Sequence, residues 1–407
     1  MKTAQSIVIS AKQLTGHKMR TVLALIGIIV GVSAVIVMVS IGMGAEREVL
    51  AKISDMGKNM VIVNAGVPIE RGGRRFYGRT PRTLGLKDVE ALYMQVSEIK
   101  NISPYQTRGF YAKYGNMTTG TTVVGVSPEY AEIRNYSLAS GDFISFQDDA
   151  SFSRVAVLGH TVKEALFEHL DPTGETIIIG NFPFRVIGYL GAKGADAEGN
   201  DQDNYIFIPI NTAFRRVFNL DYLRSIYIQL SGDTEQESVI DDIRDVMRHS
   251  HNLVRQEKED DFTIVTQDEI AETHKETSES FTLLITSIAG ISLLIGGIGV
   301  LSIMLIAIKE RAREIGLRMS VGALRRDIML QFILESSILG TVGGVLGIIT
   351  GIIISWGLVY FAGWVLAISW LSVIVSFFFS FFVGMFFGVY PAYKASLLDP
   401  IVALRSE

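Results

Sequence analysis

Three uncharged stretches constrain what this 407-residue chain can fold into. Val22–Met43 carries no charge across 22 residues, and Phe281–Ile308 carries none across 28. Ser336–Tyr393 carries none across 58, and the aromatic sequence YFAGW at 360–364 divides this stretch in two. Because a helix needs about 20 apolar residues to cross the hydrocarbon core, we predict four transmembrane helices.

The predicted organisation assigns each part of the chain to the membrane or to one side of it. The N-terminal residues 1–20 have helical apolar spacing, which predicts an amphipathic helix on the membrane surface, with a frayed tail as the alternative. The spans are predicted at 21–44, 281–308, 328–359 and 365–393. They leave an outer segment at 45–280, a charged loop at 309–327 and a tail at 394–407.

Charge predicts the orientation of these spans. Residues 1–44 hold four basic and no acidic side chains, and the 309–327 loop holds six basic ones. The 45–280 segment holds 25 basic and 36 acidic side chains, a net charge of −11. Because short cytoplasmic loops are enriched in Lys and Arg, we predict cytoplasmic termini, a cytoplasmic 309–327 loop and an external 45–280 segment.

The external segment has the pattern of a mixed α+β domain. Apolar helical spacing at 86–96 and 235–250 predicts two helices, and 66–82 and 191–204 are predicted loops. Strand-rich sequence fills the middle, so we predict a β-rich part at about 105–232 inserted into a flanking part. A strand is predicted at 59–66, and six more are predicted in the β-rich part, at 121–126, 154–159, 175–180, 184–190, 205–210 and 225–230.

Several kinds of chemistry are disfavoured by the sequence. The chain has no cysteine, which rules out disulfides and thiolate ligands. Gly57-Lys58 is the sole Gly-Lys pair and lacks P-loop spacing, so we predict no nucleotide site in this chain. The Arg-rich stretch 71–79 is predicted to be a solvated external loop rather than a nucleic-acid site. His249 and His251 lie among charges, so we predict no metal site, and no catalytic residues or cofactor stand out.

Glycines and one acid stand out within the apolar segments. A four-residue glycine repeat predicts close helix packing, although transmembrane helices are rich in glycine in any case. The repeat comprises Gly27, Gly31, Gly343, Gly347 and Gly351. Glu335 lies nine residues after Arg326, roughly 14 Å along a helix. We therefore favour contact with headgroups or with the charged loop over a role with substrate or protons.

The charged loop, KERAREIGLRMSVGALRRDI at 309–328, has the pattern of a two-sided helix. Apolar residues at 308, 312, 315 and 319 fall on one face, and Gly322 is positioned to end the helix. We predict that this apolar face is exposed in the isolated chain and docks into a groove on a partner. The predicted docking residues are Glu310, Arg311, Ala312, Arg313, Glu314, Ile315, Arg318, Met319 and Gly322.

Three signatures resemble MacB/FtsX-like ABC transporter permeases. They are KMRTVLALIGIIVGVSAVIVMVSIGMGA, ERAREIGLRMSVGALRRDIMLQFILESSILG and GVYPAYKASLLDPIVALRSE. The resemblance implies a four-span bacterial inner-membrane protein with a periplasmic α+β domain, in which a β-rich part is inserted into a porter-like part. It also implies a homodimer driven by a cytoplasmic ABC ATPase, which binds the ATP and magnesium, and it identifies 309–327 as the ATPase-docking region.

The implied function is that of a non-catalytic permease subunit. It would couple ATP hydrolysis to movement of the outer domain and so expel periplasmic cargo. MacB-type members carry their ATPase ahead of the permease on the same chain; this sequence does not, so we expect a separate ATPase. A periplasmic adaptor and an outer-membrane channel stay open as partners. The alternatives are a lipoprotein-releasing permease and an ATP-driven regulator of a cell-wall hydrolase.

Overall fold

The computed structural model describes residues 18–399, apart from 56, 58, 68, 72–73, 77–80, 197–198, 233–235 and 363. Most of the amphipathic helix predicted at 1–20, and most of the tail predicted at 394–407, lie outside the described residues. The described chain forms two units, one holding Val49–Thr273 and the other holding the residues before and after it.

Short helices and strands alternate along the middle of the chain, and long helices lie before and after them. The helices are α1 (Lys18–Ser54), α2 (Leu86–Gln95), α3 (Tyr130–Ile133), α4 (Phe146–Ala150), α5 (His160–Phe167), α6 (Ile210–Thr212), a π-helical turn (Ala213–Phe218), α7 (Gln236–Ser250), α8 (Leu253–Gln256), α9 (Gln267–Glu310), α10 (Ala312–Ser320), α11 (Arg325–Ala362) and α12 (Trp370–Ser396). The strands are β1 (Met60–Ala65), β2 (Ile69–Arg71), β3 (Arg74–Phe76), β4 (Ile99–Tyr114), β5 (Met117–Val126), β6 (Leu138–Gly141), β7 (Val155–Leu158), β8 (Thr176–Ile179), β9 (Phe182–Leu190), β10 (Tyr205–Pro209), β11 (Ser225–Leu230) and β12 (Phe262–Thr266).

Four helices of the described chain, α1, α9, α11 and α12, are long and apolar enough to cross a membrane. One face of each contributes to a shared apolar core, and large apolar side chains on the other faces are exposed, as lipid contact requires. The fourth helix begins at Trp370, five residues after the predicted start, because the Ser369 hydroxyl caps it by accepting from the Ser372 N–H. The preceding stretch instead contacts α1, where the Ala367 N–H donates to the Ser40 carbonyl.

The other unit is built on one ten-stranded sheet in the order β12-β1-β11-β4-β5-β10-β7-β9-β6, with β8 pairing to β4 and β9. The long strand β4 joins its two halves. Residues 99–105 of β4 pair with β11, and residues 105–114 pair with β5. The predicted insertion therefore extends the same sheet instead of forming a detached one.

Each half of the sheet has its own core. Side chains of α2 and α7, including Leu92 and Ile243, cover β1 and β11 in one half. In the other half, Val162 and Leu166 of α5 pack with the buried residues of β5, β7, β9 and β10. These side chains alternate along each strand because successive residues of a strand point to opposite faces.

The strand predictions agree with the structure, and one loop prediction does not. The strand predicted at 59–66 overlaps β1, and the six predicted in the β-rich part overlap β5, β7, β8, β9, β10 and β11. The prediction of a loop across 66–82 was wrong in part, because Ile69–Arg71 pairs with Arg74–Phe76 as a two-stranded ladder. Such a pair is made by backbone hydrogen bonds, so it needs no apolar alternation that a sequence would reveal.

Candidate coupling site between the second and third membrane helices

The loop between α9 and α11 is structured throughout. The N–H of Arg311 donates to the Ala307 carbonyl and the N–H of Ile315 donates to the Arg311 carbonyl, both at 3.0 Å, so helical hydrogen bonds continue from α9 into α10. At the other end, the N–H of Ala323 donates to the Arg318 carbonyl and Gly322 has φ = 103°. This is a Schellman stop, for which a glycine is favoured, and it lies where the sequence predicts a helix end.

The apolar face of α10 points into the chain. Ile315 is only 3% exposed and packs in one core with Ile308, Ile328 and Phe332, and Met319 is half-buried against that core. The prediction that this face is exposed in the isolated chain was therefore wrong. Apolar spacing identifies a face that will be buried, but the covering residues come from the first turns of α11, which the spacing does not show.

A different set of apolar side chains is exposed on the loop. Leu317 is 57% exposed, Val321 is 83% exposed and Leu324 is 68% exposed. We call these three residues the exposed loop face. The predicted docking residues Arg313 and Glu314 are exposed beside it on α10. The sequence analysis missed this face, although apolar residues at spacings of four and three within a charged stretch are a detectable signal.

Two polar contacts tie the loop to α11. The Arg311 Nη1 donates to Glu335 Oε1 at 3.1 Å and to Oε2 at 3.3 Å, with the Glu335 side chain 3% exposed. The Arg318 Nη1 donates to Gln331 Oε1 at 2.8 Å. The loop therefore contacts Glu335 through Arg311. Arg311 and Arg318 form hydrogen bonds within the chain, whereas Glu310 and Arg313 are exposed.

The glycine repeat lies at helix crossings. On α11 the glycines at 343, 347 and 351 face Ile28, Val32 and Ile36 of α1, one large residue for each glycine. A methyl group added at Gly347 would lie 2.7 Å from the Val32 Cβ, which is closer than carbon atoms pack. Along α1, Gly27 meets Gly296 of α9 with similar closeness, and Gly31 meets Leu293.

A second set of small residues brings α11 against α12. A methyl group added at Gly340 would lie 2.7 Å from the Ser380 carbonyl oxygen, and one at Gly384 would lie 2.7 Å from the Ser336 carbonyl oxygen. The sequence analysis did not single out these positions, although Ser336, Gly340 and Gly344 have the same four-residue spacing as the predicted repeat. All four membrane helices are thus joined by close backbone contacts.

Two family models cover most of the chain. The model of the MacB-like periplasmic core domain matches residues 21–246, and that of the FtsX-like permease C-terminal region matches residues 286–400. The chain belongs to the MacB-like permease family. The MacB-like family resemblance seen in the sequence is thereby confirmed, as is the architecture of four membrane helices with a periplasmic α+β domain.

Relatives in the MacB-like family are named "Macrolide export ATP-binding/permease protein MacB". One from Bdellovibrio bacteriovorus is 38% identical over 394 residues, which is 97% of this chain and 60% of that protein. One from Wolinella succinogenes is 37% identical over 393 residues, 95% of this chain and 58% of that protein. The chain thus spans about 60% of the length of the curated relatives it matches.

A solved structure is also similar to part of this chain. The crystal structure of the periplasmic region of MacB from Actinobacillus actinomycetemcomitans covers 56% of this chain and 98% of that one. The two are 23% identical, with a TM-score of 0.47.

Proposed function

We propose that this chain is the permease of an ABC-type exporter and works as a homodimer. An ABC ATPase binds the loop between α9 and α11, and ATP-driven closure of the ATPases moves the periplasmic domains, which expel cargo from the periplasm. ATP and magnesium belong to the ATPase. The proposal is supported by membership of the MacB-like permease family and carried by one observation, the exposed loop face.

The exposed loop face has the properties of a protein-docking site. Leu317, Val321 and Leu324 expose large apolar side chains beside charged ones, which is the mix found where an apolar interface centre meets a polar rim. The neighbouring Arg313 and Glu314 are available to set the orientation and rate of binding more than its strength. The buried Ile315 and the contacts to α11 hold this face in a fixed shape, which reduces the entropy lost on binding.

The same contacts support transmission of movement. α10 continues the hydrogen bonding of α9, and α11 is held to it through Arg311–Glu335 and Arg318–Gln331. A partner that moves α10 would therefore move α9 and α11 together. α9 has 44 residues and follows β12 of the periplasmic domain directly in the chain. A movement of α10 would therefore reach the periplasmic domain through α9. ATP must favour one arrangement of the dimer for this to do work.

Site-specific crosslinking tests the docking site. A photoreactive residue at Val321, in cells of the source organism, is expected to capture an ABC ATPase identified by mass spectrometry. Val321→Asp should abolish this partner's co-purification, because a charge would be desolvated at the contact. Val254→Asp is the matched control, since Val254 is also an exposed valine but lies in the periplasmic domain. Full ATPase recovery with Val321→Asp would place the docking site elsewhere.

The orientation of the chain is tested by reporter fusions. A reporter inserted after Ala192 should report the periplasm, and one inserted after Ser320 should report the cytoplasm. A cytoplasmic signal at Ala192 would contradict the proposed topology.

The cargo is to be sought first among macrolides, because the relatives carry that word in their names. A strain lacking the protein should accumulate cargo and become more susceptible to it. If that strain instead retains lipoproteins in its inner membrane, the protein would be a lipoprotein-releasing permease. A cell-wall defect with unchanged efflux would indicate regulation of a cell-wall hydrolase. Co-purification from native membranes would show whether an adaptor and an outer-membrane channel are partners.

A further inference from the structure

Arg134, at the end of α3 in the periplasmic domain, is buried without an acidic partner. Only 6% of the residue is exposed. Its Nη2 donates to the Gln202 Oε1 at 2.9 Å, and its guanidinium carbon lies 5.6 Å from the centroid of the Tyr227 ring. Its Nε has no hydrogen-bond partner, and no carboxylate of the described residues forms an ion pair with it. Such burial is costly, because a buried cation is normally paired with an anion.

A second cation, Lys193, lies near the first. The Lys193 Nζ donates to the backbone carbonyl of Arg134 and lies 4.3 Å from the centroid of the Tyr136 ring. Burial, and then the charge of Arg134, lower the pKa of Lys193 to about 8. Asp55 and Asp203 oppose this shift, but neither forms an ion pair with the ammonium, and the Asp203 carboxylate accepts the Lys193 backbone N–H at 2.8 Å.

Tyr136 adds an unused donor at the same place. Its ring packs against Phe207, with centroids 5.2 Å apart, and against Tyr130 at 6.2 Å. Its hydroxyl is buried and has no hydrogen-bond partner in the described part of the chain. Two positive charges thus lie close together, and two donors, the Arg134 Nε and the Tyr136 hydroxyl, have no partner among the described residues. The Lys193 Nζ also donates to the Asn135 carbonyl at 3.2 Å, so the chain supplies neutral acceptors here but no anion paired with either cation. We propose that Arg134, Lys193 and Tyr136 bind an oxyanion group: a sulfate, a phosphate or a carboxylate.

Another lysine of the same domain, Lys163, shows how a buried lysine charge is usually neutralised. Lys163 is buried, whereas Lys193 is half-buried, and both face an aromatic ring; the Lys163 Nζ lies 5.7 Å from the centroid of Tyr189. It donates to Glu164 Oε1 at 2.8 Å, so its charge is paired within the chain. At Arg134 and Lys193 the chain supplies ring faces, which attract cations, but not the anion. An oxyanion from outside would neutralise the pair, and its oxygens are the kind of acceptor that Nε, Nζ and the tyrosine hydroxyl lack.

The test is binding of sulfate to the full chain in phosphatidylcholine nanodiscs, measured by calorimetry at constant ionic strength. Sulfate is chosen because its charge is constant between pH 6 and 9. We expect one saturable site per chain, weakened at least tenfold by Lys193→Met and at least threefold by Tyr136→Phe. Lys163→Met and Tyr189→Phe are the matched controls and should bind as the wild type does. Affinity should also fall at least fivefold between pH 7 and 9, except in Lys193→Met.

Competition experiments distinguish the sources of the oxyanion. Glycerol 3-phosphate and acetate, added separately, show whether a phosphate or a carboxylate displaces sulfate more readily. Loss of the sulfate site in phosphatidylglycerol nanodiscs would show that a lipid phosphate occupies it. The inference is overturned if sulfate does not bind saturably, or if Lys193→Met and Tyr136→Phe bind it as the controls do. The measurement needs no ATPase, so its outcome is independent of the proposed function.

Discussion

His251 is placed to make the stability of the periplasmic domain depend on pH. Its Nδ1 lies 2.6 Å from Asp261 Oδ1 and its Nε2 lies 3.3 Å from Asp88 Oδ2, with the imidazole 8% exposed. The Asp88 carboxylate, and more weakly Asp261, raise the pKa of His251 against the effect of burial. Burial opposes ionisation of Asp88 too, but the nearby His251 imidazole and hydrogen bonds from the Ser250 hydroxyl and the Gly85 N–H hold the pKa of Asp88 below its usual value.

The direction of the pH dependence follows from these shifts. Because the folded pKa of His251 is raised, its contribution is fully present below the unfolded value of about 6.5 and is lost as pH rises through the folded value. The folded pKa of Asp88 is lowered, so its contribution is present above about 3.9 and is lost as pH falls through the folded value. The cluster is therefore strongest in mildly acidic solution.

We expect His251→Gln to lower local stability by about 2 kcal/mol at pH 6. Removing one partner of a buried pair costs about 3–5 kcal/mol. The value for His251 is smaller for two reasons. Asp88 still accepts hydrogen bonds from the Gly85 N–H, at 2.8 Å, and from the Ser250 hydroxyl. The Asp261 side chain is 35% exposed, so water can solvate it. As pH rises through the folded pKa of His251, the wild type loses this charge too, and the difference should shrink.

Hydrogen exchange of the full chain checks this expectation, because it measures local opening. At pH 6, His251→Gln should speed exchange across α8 and β12 about 30-fold after correction for intrinsic rates, as 1.36 kcal/mol is a factor of ten. The control is His249→Gln, because His249 is exposed and its Nδ1 contacts only the Asp245 carbonyl in the described contacts. Unchanged exchange in His251→Gln at pH 6 would refute the reasoning.

Three further outcomes are expected. Gly347→Leu should lower thermal stability in detergent by about 1–3 kcal/mol because it overlaps Val32, whereas Gly299→Leu, beside open space, should stay within about 0.5 kcal/mol. Ile315→Asp buries an unpaired charge, so little folded protein should elute in size-exclusion chromatography, whereas Leu317→Asp should elute as the wild type does. The purified chain should hydrolyse no ATP, because its sequence has no P-loop; turnover surviving removal of contaminating ATPases would contradict this.

The candidate coupling site was only partly predictable from sequence. Gly322 ends α10 because the left-handed backbone of a helix stop favours glycine, and that preference is local. Which face of α10 stays exposed is not local. Ile315 and Leu317 are both apolar, yet Ile315 is covered by α11 and Leu317 is not. The sequence analysis therefore chose the wrong apolar face for the partner.

The oxyanion site could not be found from sequence spacing. Arg134 follows α3, Lys193 and Gln202 lie in the loop between β9 and β10, and Tyr227 joins them from β11. No pattern marks an arginine that lacks an acidic partner, because the sequence contains many acids that could have paired with it. Only the fold shows which cations are left without one.

The sequence by itself determined four membrane helices, because the length of an uncharged apolar run is a local property that the hydrocarbon core selects. It also determined the predicted strands and the small residues of the helix repeat. The tertiary structure alone decided how ten strands are ordered in one sheet, and that β4 joins its two halves. It also decided which residues of α1 meet Gly343, Gly347 and Gly351 of α11. These depend on contacts between residues distant in the chain, whose favourable energy appears only once the segments are brought together.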